Sequence, residues 1–377
     1  MHASDTPGDA GDMSTERVFN FGAGPAVLPE PALEEAQRDL RALPAVGMSV
    51  LEISHRSQTF GEIIETTAAS IRTLAGVPDD YHVLFLQGGA TLQFSMVPLN
   101  LLPPDGSADY VLTGVWAKKA ATEAEQFGSV RVAASTEQDS FTRVPDPSEL
   151  DLARDAAYVH ITSNNTICGT QWRQMPDVGA APLVVDASSD IFSRPINIAG
   201  HGLVYAGAQK NLGAAGVTLV IVRDDLMRQP PTARGAVPTM MRYATYADSG
   251  SLHNTPPVFA IYLVGLVMKW LLANGGLPAM AQRNERKAKT LYSAIDRTGF
   301  YRGTARIDSR SLMNVTFRLP SAELEARFAK DAGDAGLAGL KGHRSVGGLR
   351  ASIYNAFPEA GVDALVQFMA EFERTHG

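Results

Sequence analysis

GLVYAGAQKNLGAAG, residues 202–216, carries an apolar run into small residues and then into a lysine, Lys210. Leu203, Val204, Tyr205 and Ala206 read as a buried strand, and the stretch VTLVIV at 217–222 reads as a second one. A lysine set between two core strands sits where desolvation favours the neutral amine. That cost becomes useful when the amine must act as a nucleophile or form an imine with a carbonyl. A solvated loop lysine is the alternative, and this stretch alone leaves both open.

Upstream, the pattern is strand, glycine turn, helix. HVLFLQ (82–87) is a strand, Gly88-Gly89-Ala90-Thr91 a turn, and Leu92 to Leu102 a helix. YVLTG (110–114) is another strand, followed by Trp116 and a helix from Ala117 to Phe127. Shorter strands are expected at 130–133, 157–161 and 183–185. The alternation predicts an α/β fold, a mostly parallel sheet of the seven-stranded kind lying between helices. In such sheets the active groups lie outside the carboxyl ends of the strands. The 88–91 turn, Trp116, Thr166, Asp186 and Lys210 each follow a strand, so one crevice can collect them all.

Downstream, 256–276 reads as a long buried helix and 280–296 as a charged amphipathic one. The remainder predicts a smaller α+β unit, with strands at 313–317 and 349–354 and helices at 322–332 and 361–375. The expected division is a disordered leader at 1–16, a large domain at 17–275 and a small C-terminal domain at 276–377. Within the large domain, the Gly- and Pro-rich segment 17–31 is expected to pack near the small one.

The chain has 377 residues, a net charge of −7 and 19% charged residues, which gives no general affinity for nucleic acid or anionic membrane. Any anion site must therefore be local. Cys168 is the single cysteine, so no internal disulfide framework exists and a reducing cytoplasm is expected. The polar first sixteen residues lack the apolar core of a signal peptide.

A Gly-rich strand–helix turn can present backbone N–H groups to a phosphate, and the departure of 88–91 from GxGxxG argues against a dinucleotide. Asp186 emerges from a buried strand 24 residues before Lys210, a spacing that fits one crossover to a neighbouring strand. A buried carboxylate needs a partner, and a protonated pyridine nitrogen would be one; capping a helix or ordering the loop that follows is the plain alternative. Trp116 can lie flat on an aromatic ring or serve as core. His55-Arg56, His343-Arg344 and Arg350 are basic groups in Gly- or Ser-dense segments, suited to carboxylate or phosphate unless simply solvated. Asn254-Thr255-Pro256-Pro257 reads as a helix entry.

These residues stand in motifs that together resemble the phosphoserine aminotransferase family, pyridoxal-phosphate enzymes of fold type I. The motifs are FNFGAGPAVLP, SHRSQTF, GGATLQF, TGVWAKKA, NNTICG, VVDASSDIFSRP, YAGAQKNLGAAG, HNTPP and KGHRSVGGLRASIYNA, spread from Val18 to Gly377. The resemblance implies pyridoxal 5′-phosphate held covalently by Lys210, which also shuttles the proton. It implies Asp186 on the ring nitrogen, Trp116 on the ring face and Thr166 on the phenolic oxygen. Ala90, Thr91 and Gln209 would serve the cofactor phosphate, with Asn254 and Thr255 reaching in from the second subunit of a homodimer. His55, Arg56, His343, Arg344 and Arg350 would form the substrate pocket, Arg350 taking the α-carboxylate, and no metal is implied. Some members carry Arg at the place of Thr91, so the phosphate here must lean on neutral donors.

The implied activity is ping-pong transfer between L-glutamate and 3-phosphohydroxypyruvate, giving O-phospho-L-serine, with use of a four-carbon phosphorylated keto acid of pyridoxine synthesis open. Two other kinds of reading compete. One is a different enzyme of the same fold, either a cysteine desulfurase, which would need Cys168 as its nucleophile, or a small-substrate aminotransferase of the alanine type, which would not need so many basic groups. The other is a non-catalytic binding module, which would be free to lose Lys210 or Asp186.

Overall fold

The computed structural model describes residues 17–227 and 237–377; the expected leader at 1–16 lies outside the described residues. The described chain opens with β1 (Phe19–Asn20), α1 (Glu30–Arg41) and α2 (Gln58–Ala75). Ser57 caps α2 by accepting the Phe60 N–H, and Gly76 ends it in the left-handed region at φ 58°. Phe60, Ile64, Thr67, Ile71 and Ala75 are its buried residues, at the spacing of one helical face.

Strand and helix then alternate through β2 (Tyr81–Leu86), α3 (Gly89–Leu101), β3 (Ser107–Leu112), α4 (Val115–Ala124), β4 (Ser129–Ser135) and β5 (Val159–Thr162). A small hairpin of β6 (Asn164–Asn165) and β7 (Thr170–Gln171) leads to β8 (Leu183–Asp186), β9 (Leu203–Gly207) and β10 (Thr218–Arg223). Seven of these form one sheet in the order β2-β10-β9-β8-β5-β3-β4. Only β10 runs against its neighbours, pairing antiparallel with both β9 and β2. The other six therefore share one direction and end on one edge.

Away from its edge strand β4, the sheet is buried on both faces, as its continuous apolar strands require. Along β9 the side chains alternate: Val204 and Ala206 join the core that holds Phe60, Ile64 and Val264, while Leu203 and Tyr205 join the core of Phe94, Tyr110 and Tyr158. After two short helices, α5 (Asp224–Met227) and α6 (Tyr243–Asp248), the apolar α7 (Val258–Ala273) packs on α1 and α2. A Cβ at Gly265 would stand 2.5 Å from Thr67 Oγ1, so glycine is what lets α7 and α2 approach so closely. No single described helix is long and apolar enough to cross a membrane.

α8 (Gly276–Ile295) runs from this core into another, placing Leu277 and Met280 in the first and Ala288, Leu291 and Ile295 in the second. The second surrounds an antiparallel sheet of β11 (Arg302–Gly303), β12 (Asn314–Arg318) and β14 (Leu349–Ser352), with α9 (Ala322–Asp334) and α10 (Glu359–His376). β1 pairs in parallel with β13 (Leu337–Ala338), and Phe21 is fully buried in this second core. From there the chain returns to the Lys210 loop, where the Ala26 N–H donates to the Gln209 carbonyl at 2.8 Å.

Two local differences from the sequence reading have physical causes. α3 starts at Gly89 rather than Leu92, because the two glycines form its N-terminal turn, Gly88 with φ 89° and Gly89 with φ 67°. β14 stops at Ser352, because the next carbonyls turn toward Lys287 of the charged helix α8. That ammonium is 1% exposed and donates to the carbonyls of Ile353, Tyr354 and Phe357 at 2.9, 2.6 and 3.2 Å.

Candidate active site

Asp186 is the last residue of β8, and Lys210 lies three residues beyond the end of the adjacent β9. Both enter a cavity of about 140 Å³ at the shared carboxyl edge of the parallel strands. The same cavity is lined by Ala90 and Thr91 from the start of α3, Trp116 from α4, Thr166 from the β6–β7 turn, and Gln209. One crevice thus gathers the groups that follow five different strands.

Lys210 Nζ donates to Thr166 Oγ1 at 2.9 Å. Burial pushes its ammonium down to about 8; Asp186 partly restores it, and Arg350 presses it further down. The Asp186 carboxyl is pushed up by burial, against the opposing effects of Ser188 and of the Lys210 charge. Its Oδ1 accepts the Ser188 N–H at 3.0 Å. A titratable acid and a titratable amine whose environments draw their proton affinities together are a usual mark of an active site.

A ring-bearing, phosphorylated cofactor fits this lining. The Thr162 hydroxyl, which faces the cavity, and the buried Trp116 Nε1 both lack a protein partner. At the other end, the first N–H groups of α3 have no intrahelical acceptor and meet the cavity, the standard receptor for a phosphate. Gly88 is required there: at φ 89° an added Cβ would lie 2.7 Å from Leu92 Cβ. Arg is absent from this turn, so its donors are backbone and hydroxyl groups.

Arg350, on β14, reaches the site from the smaller sheet and donates to the Thr166 carbonyl at 3.1 Å; its Nε is buried without an acceptor. His343 and Arg344 precede it on the 341–348 loop, Arg344 being exposed. They do not line the cavity, but the charges of Arg350, Arg344 and Lys119 all push the His343 imidazole below its ordinary value, after burial.

His55, Arg56, Asn254 and Thr255 are not brought to the Lys210 cavity of their own chain. They form a separate group, with Thr255 Oγ1 3.3 Å from His55 Nδ1 and Gln87 Nε2 donating to the Thr255 carbonyl at 3.3 Å. Within the single chain His55 Nε2 and Asn254 Oδ1 are buried without hydrogen-bond partners.

Sequence reasoning passed over several groups that build the site. Asn164 lines the cavity, donates to Ser189 Oγ at 2.8 Å and Asn314 Oδ1 at 2.7 Å, and so ties it to the smaller sheet. Ser188 lines it too, its hydroxyl accepting the Gly207 N–H at 3.1 Å. Asp190 accepts from Ser163 and, at 3.0 Å, from Gln171 Nε2. The signal was available in the density of short polar residues within two otherwise buried motifs, SNNT and DASSD.

An amine-bearing lysine and a buried aspartate at the strand ends of this sheet, with an anion-binding helix start, define a pyridoxal-phosphate-dependent transaminase of fold type I. The class-V aminotransferase family model matches residues 18–365. The phosphoserine aminotransferase of Lysinibacillus sphaericus is 53% identical over 363 residues, spanning 96% of this chain and 99% of that protein. That of Desulfosudis oleivorans is 54% identical, spanning 96% and 100%. Among solved structures, phosphoserine aminotransferase from Bacillus circulans subsp. alkalophilus superposes with a TM-score of 0.94 at 51% identity, covering 96% of this chain and 100% of that one. The pyridoxal-phosphate-bound enzyme from Trichomonas vaginalis gives 0.90 at 38%, covering 94% and 100%. The chain belongs to the class-V aminotransferases, and within them to the phosphoserine aminotransferases.

Proposed function

We propose that this chain transfers an amino group between L-glutamate and 3-phosphohydroxypyruvate, forming O-phospho-L-serine and 2-oxoglutarate in two half-reactions. The observation that carries the reading is the Lys210–Asp186 cavity with Arg350 at its rim and the His343-Arg344 loop leading up to Arg350. Pyridoxal phosphate, when bound, supplies a carbonyl for the amino group and an electron sink for the bond broken at the substrate α-carbon.

In this reading Lys210 would hold the cofactor, and its Nζ would move the proton to and from the substrate α-carbon. Burial prepares it for that, since an amine near 8 is partly unprotonated at neutral pH. Asp186 would keep the ring nitrogen protonated, Thr166 and Trp116 would hold the ring, and Ala90, Thr91 and Gln209 would hold the phosphate. Arg350 takes the α-carboxylate. His343 and Arg344, with His55 and Arg56, take the distal phosphate or γ-carboxylate.

The proposal includes a homodimer in which Asn254 and Thr255 complete the partner's cofactor site, because they stand off their own cavity and Asn254 Oδ1, like the neighbouring His55 Nε2, is buried without a partner. It also includes two domains divided at 275/276, a cytoplasmic location and a place in serine synthesis. Use of the phosphorylated four-carbon keto acid of pyridoxine synthesis is the open extension.

Absorbance of the holoenzyme tests it. Bleaching of the visible cofactor band on addition of O-phospho-L-serine or L-glutamate is the expected result; bleaching by alanine or cysteine alone overturns the substrate. The desulfurase reading is disfavoured by Cys168 itself: burial pushes its thiol up, away from the thiolate that reaction needs.

A further inference from the structure

Two adjacent lysines on α4 have different fates. Lys118 Nζ is tied to Glu137 at 2.6 Å. Lys119 makes no ion pair or hydrogen bond among the described residues. Its Nζ instead lies 4.9 Å from the ring centroid of Trp116, one helical turn back on the same face. Trp116 lines the Lys210 cavity, and Lys119 lines the adjoining groove together with Gly88 and Thr91. Lys119 thus stands where that groove meets the cavity.

We infer that Lys119 is a further specificity-determining cation of this site, one that selects a phosphomonoester over a carboxylate at the distal end of the substrate. Three observations support it. Lys119 is unneutralised while its neighbour is neutralised, so its charge is free for a ligand. It is close enough to His343 for its charge, with those of Arg344 and Arg350, to bear on the imidazole. Finally, the charges bearing on His343 are all positive in a chain whose net charge is −7, and the two carboxylates in the Lys119 groove are already engaged, Glu137 by Lys118 and Glu123 by Ser95 and Gln126. A local positive cluster of this kind is incomplete without an anion, and a phosphomonoester brings close to two charges at neutral pH where a carboxylate brings one. The ammonium is already held over the Trp116 ring, which limits the freedom lost when it engages an anion.

The inference rests on the substrate reading above, and the test separates the two. Holoenzyme half-reactions are followed by cofactor absorbance with O-phospho-L-serine and with L-glutamate, for the wild type, Lys119→Met, Lys119→Arg and Lys118→Met. Methionine keeps the packing on Trp116 and removes the charge. For Lys119→Met, the expected result is a roughly tenfold weaker apparent affinity for O-phospho-L-serine, less than about twofold for glutamate, and an unchanged limiting rate with either. Arginine restores most of the loss, and Lys118→Met behaves as the wild type. The affinity of each apoprotein for pyridoxal phosphate, read by quenching of tryptophan fluorescence, is expected to stay the same. Equal weakening for both donors, or no change for either, overturns the inference while the wild-type result leaves the reaction standing. Weakening confined to pyridoxal phosphate would assign Lys119 to the cofactor's phosphate and overturn it as well. A wild type that ignores O-phospho-L-serine overturns the substrate reading itself.

Discussion

Lys210 joins burial to chemistry through one quantity, the proton affinity of its amine. A value near 8 against an ordinary 10.5 means that the folded apoprotein releases this proton before the unfolded chain does. The sign follows: between these values the unfolded state binds more protons, so stability rises with pH across that window. The burial penalty, about 3 kcal/mol as an order of magnitude, is fully present below pH 8 and vanishes above the unfolded value. Denaturant midpoints of the apoprotein from pH 7.5 to 10.5 should show a rising component that Lys210→Met lacks. Identical profiles for the two proteins would mean that the amine is solvated. Arg350 acts on the same quantity, because its charge holds the Lys210 proton affinity down. Arg350→Ala should therefore raise the apparent pKa for cofactor attachment. It should also lower kcat/KM for both amino donors by about tenfold or more, as the loss of a shared α-carboxylate contact requires. A loss confined to one donor would move Arg350 to the distal anion.

At the scale of elements, the site depends on how α3 begins. Gly88 holds φ 89° with Leu92 against it, so a methyl group there meets both strain and a clash. Gly88→Ala should cost about 1–3 kcal/mol and weaken pyridoxal phosphate binding, because the N–H groups of the first turn would be re-aimed. Gly61→Ala is the contrast: inside α2, with open space where its Cβ would be, it should hold or raise the melting temperature by helix propensity alone. Melting curves and cofactor titrations of the two variants check both, and equal effects would refute the argument. The same elements show what could be read from residue order. The strands before and after Lys210 and the glycine turn were legible because apolar runs and glycine pairs act locally. Lys287 was not, since its burial depends on carbonyls 66 to 70 positions later in the chain. Nor was the role of Asn164, whose amide answers Asn314 across 150 positions. Short polar side chains read as loop until the opposing element is known. The same holds for His55 and Thr255, 200 positions apart, which meet beside each other and away from the cavity.

For the whole molecule, that displacement is the feature with the largest consequence. The flank carrying His55 and Thr255 also exposes Leu51 at 61% and Met48 at 46%, apolar surface next to unpaired polar atoms. An isologous dimer about this flank would cover the first and satisfy the second, with each chain lending its 254–255 turn to the other's cofactor. Sharing of this kind has a signature that no single-chain site can imitate. Lys210→Ala should be inactive, and so should Asn254→Ala/Thr255→Ala if the turn holds the cofactor's phosphate. When the two are unfolded together and reassociated at equal concentration, half of the dimers are mixed. In each mixed dimer one site combines both defects, and the other combines none. Activity should recover to about a quarter of the wild-type value, from two inactive parents. If Asn254 and Thr255 served their own chain's Lys210, every site in every mixture would carry a defect and no activity would return. A mass in solution near that of one 40.3 kDa chain would refute the arrangement before any mixing was done.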